Sequence, residues 1–96
     1  MKKFLFLYSG VSEPTQEVMD AWMGWFASIG DSLVDGGNPL GPGREVTPTE
    51  TRELSSGLEA TSGYSIVNAD SMDDAEKLLE GCPIVTSVRI YEAMSM

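Results

Sequence analysis

Residues Phe4-Leu5-Phe6-Leu7-Tyr8 form an unbroken apolar run that stops at Ser9-Gly10. The run is too short for a buried helix and is rich in aromatic residues. It therefore reads as a central β-strand covered on both faces. On that strand Phe4, Phe6 and Tyr8 share one face, and Leu5 and Leu7 share the other. The rest of the chain must supply the covering layers. With 96 residues and an apolar fraction of 42%, it has the material for one core and one domain, residues 1–96.

The next segment supplies a helix. Val18, Met19, Trp22, Trp25, Phe26, Ile29 and Leu33 recur at spacings of three and four, which makes one broad apolar stripe. Pro14 suits a first helical turn, and Ser12 or Thr15 can cap it. Gly36-Gly37 is read as its end, because glycine takes the left-handed conformation that closes a helix. Asn38 to Pro48 is rich in Gly and Pro and reads as a loop with several fixed turns. Thr49 to Leu54 reads as a polar edge strand, with a turn at Ser55-Ser56-Gly57. Gly63 to Val67 reads as a third strand. A second helix starts at Ser71, with Asp74 three residues on, and stops at Gly81 before Pro83. Ile84 to Tyr91 reads as the last strand. The order strand, helix, strand, strand, helix, strand is that of the ferredoxin-like βαββαβ unit, an α+β fold with a four-stranded antiparallel sheet and two helices on one face.

Charge removes whole classes of partner. Fifteen acids against six scattered bases give a formal net charge of −9. Phosphate backbones and anionic lipid surfaces need clustered cations, so neither nucleic acid nor a membrane surface is an expected partner. Cys82 is the single cysteine, so no intrachain disulfide can form. The apolar run after Met1-Lys2-Lys3 is too short for a signal-peptide core, and no stretch reaches transmembrane length. A cytoplasmic location is the expectation.

The chain has no histidine, which removes imidazole bases, Ser-His and Cys-His pairs and the common zinc sites. There is no P-loop and no dinucleotide-binding glycine pattern. The acids Asp70, Asp73 and Asp74 lack the glycine and terminal Glu of a calcium loop, and helix capping accounts for them. No metal and no cofactor is expected. Cys82, at a helix C-terminus, reads as a small buried hydrophobe.

The stretch from Gly63-Tyr64-Ser65-Ile66-Val67 through Ser71-Met72-Asp73-Asp74-Ala75, followed by Cys82-Pro83, resembles the YCII-related (DGPF) family. So does the passage from Gly36-Gly37 to Gly41-Pro42. The resemblance runs over nearly the whole chain. It implies a ferredoxin-like domain that pairs as a dimeric α/β barrel, a homodimer with a cleft between sheet and helices in each subunit. Some family members carry an Asp after the first strand and a His on the first helix as a proposed catalytic pair. Here Ser9 stands where that acid is expected, and a Trp-rich helix where the His is expected. The family's Asp-Gly-Pro-Phe signature is also missing, with Ser56-Gly57-Leu58-Glu59 in its place.

The expected function is binding, or acting on, a small aromatic or acidic metabolite in that cleft. The alternative is a non-catalytic assembly or regulatory binding module. Whether the protein is an enzyme stays open at this point. An acid or base would have to be Asp, Glu, Tyr or Lys, with Tyr8, Asp35 and Tyr64 as candidates. Ser9, Trp22, Trp25, Asn38, Arg44 and Arg89 are the candidate ligand-binding residues. Trp22 and Trp25 serve core packing at the same spacing. Arg44 follows the Gly/Pro loop and can grip a carboxylate with both nitrogens, or it can pair with a neighbouring acid at the surface.

Overall fold

The structure is a computed structural model that describes residues 1–55 and 60–95. The chain runs β1 (Lys2–Ser9), α1 (Gln16–Ser28), a short 3-10 turn (Gly30–Ser32), β2 (Leu33–Asp35), β3 (Arg44–Val46), β4 (Thr51–Glu53), β5 (Thr61–Ala69), α2 (Met72–Lys77) and β6 (Ser87–Ala93). The main sheet has four strands in the order β2-β5-β1-β6. Every neighbouring pair in it is antiparallel, with Phe4 opposite Val67 and Leu7 opposite Arg89. This is the ferredoxin-like arrangement expected from the element order, with both helices packed on one face.

That face holds the core. Phe4, Phe6 and Tyr8 of β1 alternate inward and meet Val67 and Ala69 of β5, Trp25 and Ile29 at the end of α1, and Ala75 of α2. Full burial of side chains of this size contributes roughly 1.5–3 kcal/mol each. The opposite face is different. Leu5 and Leu7 are only half-buried, so the two-sided cover expected for β1 is not provided within one chain.

Several boundaries differ from the sequence reading. The first helix does not continue to Gly36-Gly37 but ends at Ser28, and Leu33–Asp35 is the edge strand β2. The Gly30-Asp31-Ser32 triplet is poor helix material, and Leu33 gains more by pairing with Val67 of β5. Leu33 still packs against the core, which is why its spacing matched the helical stripe. The helix start is resolved as well. Thr15 is the N-cap, its hydroxyl accepting the Val18 amide at 3.2 Å. Pro14 therefore lies ahead of the cap, not in the first turn. Met19 faces outward and is 52% exposed.

The polar strand is real but belongs elsewhere. β4 pairs with β3, a strand inside the segment read as a loop, in a separate two-stranded hairpin. Cross-strand ion pairs Arg44–Glu53 and Arg52–Glu45 decorate that hairpin, and their exposure limits them to about 0–1 kcal/mol each. The last strand begins at Ser87 rather than Ile84. The turn at Ser55-Ser56-Gly57 lies partly, and the Ser56-Gly57-Leu58-Glu59 segment wholly, outside the described residues.

The second helix starts where its sequence signals put it but ends at Lys77, with turns rather than helix carrying the chain to Gly81. Ser71 caps it, accepting the Asp74 amide at 3.1 Å, and Gly81 takes a φ of +81° beyond its end. Gly37 has a different duty from the one expected. With φ at +75° it turns the chain after β2 so closely along β5 that a Cβ would overlap the Tyr64 backbone carbonyl. Gly37→Ala should therefore lower the unfolding free energy by at least about 2 kcal/mol. Gly41→Ala, which would meet open space, should change it by less than about 0.5 kcal/mol. Urea midpoints of the two variants check this, and equal midpoints would contradict the close approach.

Candidate functional site

A cleft of about 400 Å³ opens where the C-terminal end of β1 meets the start of β5, beneath α1. Its construction follows from local sequence. The antiparallel register slips between Tyr8 and Ser9, so that Tyr8 faces Gly63 and Ser9 faces Thr61, leaving Ser62 as an extra residue. Bulges of this kind bend a strand and re-aim side chains. Gly63 adds no side chain above Tyr8, and Pro39 bridges to Gly63 along the strand edge. Trp22 and Phe26, one helical turn apart on α1, form the apolar wall. Asn38 and Tyr64 also border it, but Tyr64 pairs with Leu7, so its ring leaves β5 toward the other face of the sheet, where its hydroxyl accepts the Asn38 Nδ2–H at 3.2 Å.

The aromatic groups pack edge to face. Tyr8 meets Trp22 with ring centroids 5.0 Å apart and planes at 76°, and Trp22 meets Trp25 at 5.8 Å and 81°. Such contacts hold the wall rigid and are worth roughly 0.5–1.5 kcal/mol each beyond burial. Under the wall runs a polar chain. The Tyr8 hydroxyl donates to Ser65 Oγ at 2.9 Å, and the Ser65 hydroxyl donates to the Gly36 carbonyl at 2.8 Å. Ser65 is fully buried, so both of its bonds matter to the fold.

The sequence candidates separate into two groups. Tyr8, Trp22, Asn38 and Tyr64 come together in the lining. The other five do not line the cleft. Ser9 is buried in β1, where its carbonyl accepts the Thr86 amide at 3.2 Å. Trp25 lies deeper in the core, its indole Nε1 donating to the Leu78 carbonyl at 2.8 Å. Asp35 is exposed at the end of β2 and accepts the Gly37 amide at 2.8 Å, a turn-forming contact. Arg44 stands on the hairpin against Glu53, 3.0 Å away. Arg89 is exposed and lies opposite Leu7. Its strand neighbours Val88 and Ile90 pack against the core, so Arg89 points to the other face of the sheet.

Sequence reasoning did not single out Ser65, Ser62 or Val85. Ser65 had a usable signal: on β5 it shares a face with Gly63 and Val67, and a serine among buried strand positions needs a polar partner. Ser62 had none, because the bulge that exposes it is a product of register.

Among the described residues, the lining contains no Lys, Arg, Asp, Glu or Cys. Its polar equipment is hydroxyls, one side-chain amide and backbone groups. Burial pushes the Tyr8 hydroxyl from 10.0 up to about 12, partly offset by the Ser65 hydrogen bond. Tyr8 therefore remains a protonated phenol at neutral pH and cannot act there as a base. Burial likewise pushes the nearby Cys82 thiol from 9.0 up to about 11, which disfavours a reactive thiolate. No group of three Cys, Asp or Glu side chains able to hold a metal ion occurs among the described residues.

The raised Tyr8 value has a consequence for stability. The folded state holds this proton more tightly than the unfolded state does, so the contribution is complete below pH 10 and is lost as pH rises toward 12. Cys82 acts the same way between pH 9 and 11. Urea midpoints measured across this alkaline range should fall less steeply for Tyr8→Phe than for the wild type above pH 10. A Cys82→Ser background removes the earlier part of the fall. Parallel curves for Tyr8→Phe and wild type in that background would contradict the assignment.

No protein-family model matches the chain, and no curated protein matches it either. Among solved structures the chain is similar to 5-chloro-2-hydroxyhydroquinone dehydrochlorinase (TftG) from Burkholderia phenoliruptrix AC1100, determined in complex with 2,5-dihydroxybenzoquinone. The TM-score is 0.56 at 14% sequence identity, over 98% of this chain and 95% of that one. A likeness at that identity is one of fold: the ferredoxin-like sheet with its two helices is shared along almost the full length of both chains.

Proposed function

We propose that this is a YCII-like protein that binds a small, uncharged aromatic metabolite in the cleft between β1, β5 and α1. The single observation that carries the reading is the composition of the lining: Tyr8, Trp22 and Phe26 around a cavity that, among the described residues, has no ionised side chain. A cavity of about 400 Å³ suits a one-ring compound. An acidic ligand would enter without a cation to pair with, and burying its charge there is costly. The neutral aromatic member of the two expected ligand classes is therefore favoured. The TftG complex holds a one-ring compound, 2,5-dihydroxybenzoquinone, which agrees with this reading in size only. Without a base in the lining, the site favours binding over proton abstraction.

The second part of the proposal is a homodimer of the α/β-barrel type. It is supported by the face of the sheet opposite the helices, where Leu5 and Leu7 are half-buried and Tyr91 is 51% exposed. An apolar sheet face left open to water favours burial against a second layer. The same face supports the alternative of an assembly module. A cytoplasmic location goes with these readings and with the solitary Cys82. No helix among the described residues is long and apolar enough to cross a membrane.

Titration with 4-ethylphenol and with benzoate, followed by tryptophan fluorescence, tests the site. The phenol should quench and saturate, benzoate should bind at least tenfold more weakly, and Trp22→Ala should weaken the phenol by about tenfold. Benzoate binding as tightly as the phenol would contradict the uncharged-ligand reading. Light scattering tests the dimer: a dimeric mass is expected at micromolar concentration, and Leu7→Glu should shift it to monomer. A dimer that binds no aromatic probe would favour the assembly reading.

A further inference from the structure

Asp35 and Arg89 stand outside the cleft, yet strand register puts them on one surface. On β1 the side chains turned away from the helices are those of Lys3, Leu5 and Leu7. Ile66 and Tyr64 of β5 lie opposite Leu5 and Leu7, and so do Tyr91 and Arg89 of β6. Asp35 of β2 lies opposite Ile66. Directly opposed residues share a face, so this surface has a fixed plan. Its middle strands carry Leu5, Leu7, Tyr64 and Ile66, all half-buried, with Lys3 and Asn68 at one end. Arg89 is exposed on one edge strand and Asp35 on the other. Lys3, Arg89 and Asp35 are the charged side chains that the four strands turn to this face. Neither Arg89 nor Asp35 forms an ion pair with a described residue.

The plan is self-complementary, as a two-fold interface between identical chains requires. Two such faces can meet in two ways. An axis across the strands lays β6 over β6 and β2 over β2, which sets Arg89 against the partner's Arg89 and Asp35 against the partner's Asp35. An axis along the strands lays the order β2-β5-β1-β6 of one copy over the reverse order of the other. Then β6 covers the partner's β2, and Leu5 and Leu7 stack on the partner's Ile66 and the partner's Tyr64. Sheets packed in this aligned way cross at only about 30°, so the edges stay over one another. Asp35 lies in the row of Ile66, Leu5 and Tyr91, and Arg89 is two residues along β6 from Tyr91. That is about 7 Å, a distance an arginine side chain spans. We infer that two copies of this chain pair through these faces about an axis along the strands, each Arg89 held against the partner's Asp35. This rests on the homodimer reading above and adds its symmetry and the contacts that fix it. The apolar middle stacks in either arrangement; the edge charges select one, because like charges brought together reject the other.

Charge reversal of the full chain, followed by sedimentation, tests the pairing. Arg89→Asp alone and Asp35→Arg alone should each raise the dimer dissociation constant by at least about tenfold, since each reversal counts twice across the axis. An equimolar mixture of the two variants should form a heterodimer as tight as the wild-type dimer, because both of its edge pairs are again opposite in charge. Native mass spectrometry identifies that heterodimer by its mass. Asp35→Arg gives up the contact to the Gly37 amide, so a second variant guards against misfolding. Asp35→Asn keeps an oxygen for that amide, and added to Arg89→Asp it should recover at least about threefold of the lost affinity. Either reversal dimerising as tightly as the wild type would overturn the pairing. So would a mixture that forms no heterodimer, or an Asp35→Asn that recovers nothing. A wild-type chain that stays monomeric at micromolar concentration would overturn the homodimer reading itself, and the pairing with it.

Discussion

The structure depends on Trp25. Its ring is buried against Phe6, Tyr8, Trp22 and Phe26, and its indole nitrogen reaches across to the Leu78 carbonyl just beyond α2. One side chain thus fastens the first helix to the sheet and to the second helix. The carbonyl it meets belongs to the end of a helix, where backbone acceptors lack intrahelical donors, so the bond satisfies a group that would otherwise need water. With Trp25 fixed, Trp22 is held one turn earlier at the edge of the core, partly covered and able to serve as a wall.

The cleft follows from that placement and from a conflict at the end of β1. A strand that must bury Tyr8 among aromatic groups also has to pass into Gly10 and the loop beyond it. The register slip at Ser62 reconciles the two by letting the pairing shift beside the tyrosine. The close passage of Gly37 over Tyr64 forms the other bank. The outcome is a cavity whose chemistry is set by hydroxyls and rings, with the protein's many charges on the outside. Among the described residues, the acidic excess keeps the exterior polar and takes no part in the lining.

The fold was legible because its signals were redundant. The apolar run at Phe4–Tyr8, the capped helix after Ser71 and the glycine at 81 each pointed to one element, and their order left few topologies. The second strand was misplaced because Ile29 and Leu33 are four apart, a spacing that serves a helix and, across a short turn, a strand edge equally well. The hairpin was read as loop plus strand because three-residue strands carry no periodicity to detect. Of the site, the aromatic wall was visible as a helical stripe, and Asn38 and Tyr64 were visible as polar residues beside glycines. Arg44 and Arg89 attracted attention through their rarity in an acidic chain, but rarity says nothing about which face of a strand a side chain takes. Ser65 was missed because its importance lies in pairing with Tyr8, 57 positions away.

The most direct test is a titration of the folded protein with 4-ethylphenol, followed by NMR at the two tryptophan indole N–H signals. The account predicts that the Trp22 signal moves and saturates with added ligand. The Trp25 signal, tied to the Leu78 carbonyl behind the wall, should stay close to its place. A Trp22 signal that never moves, while resonances elsewhere respond or nothing responds at all, would contradict the claim that this cleft is the binding site.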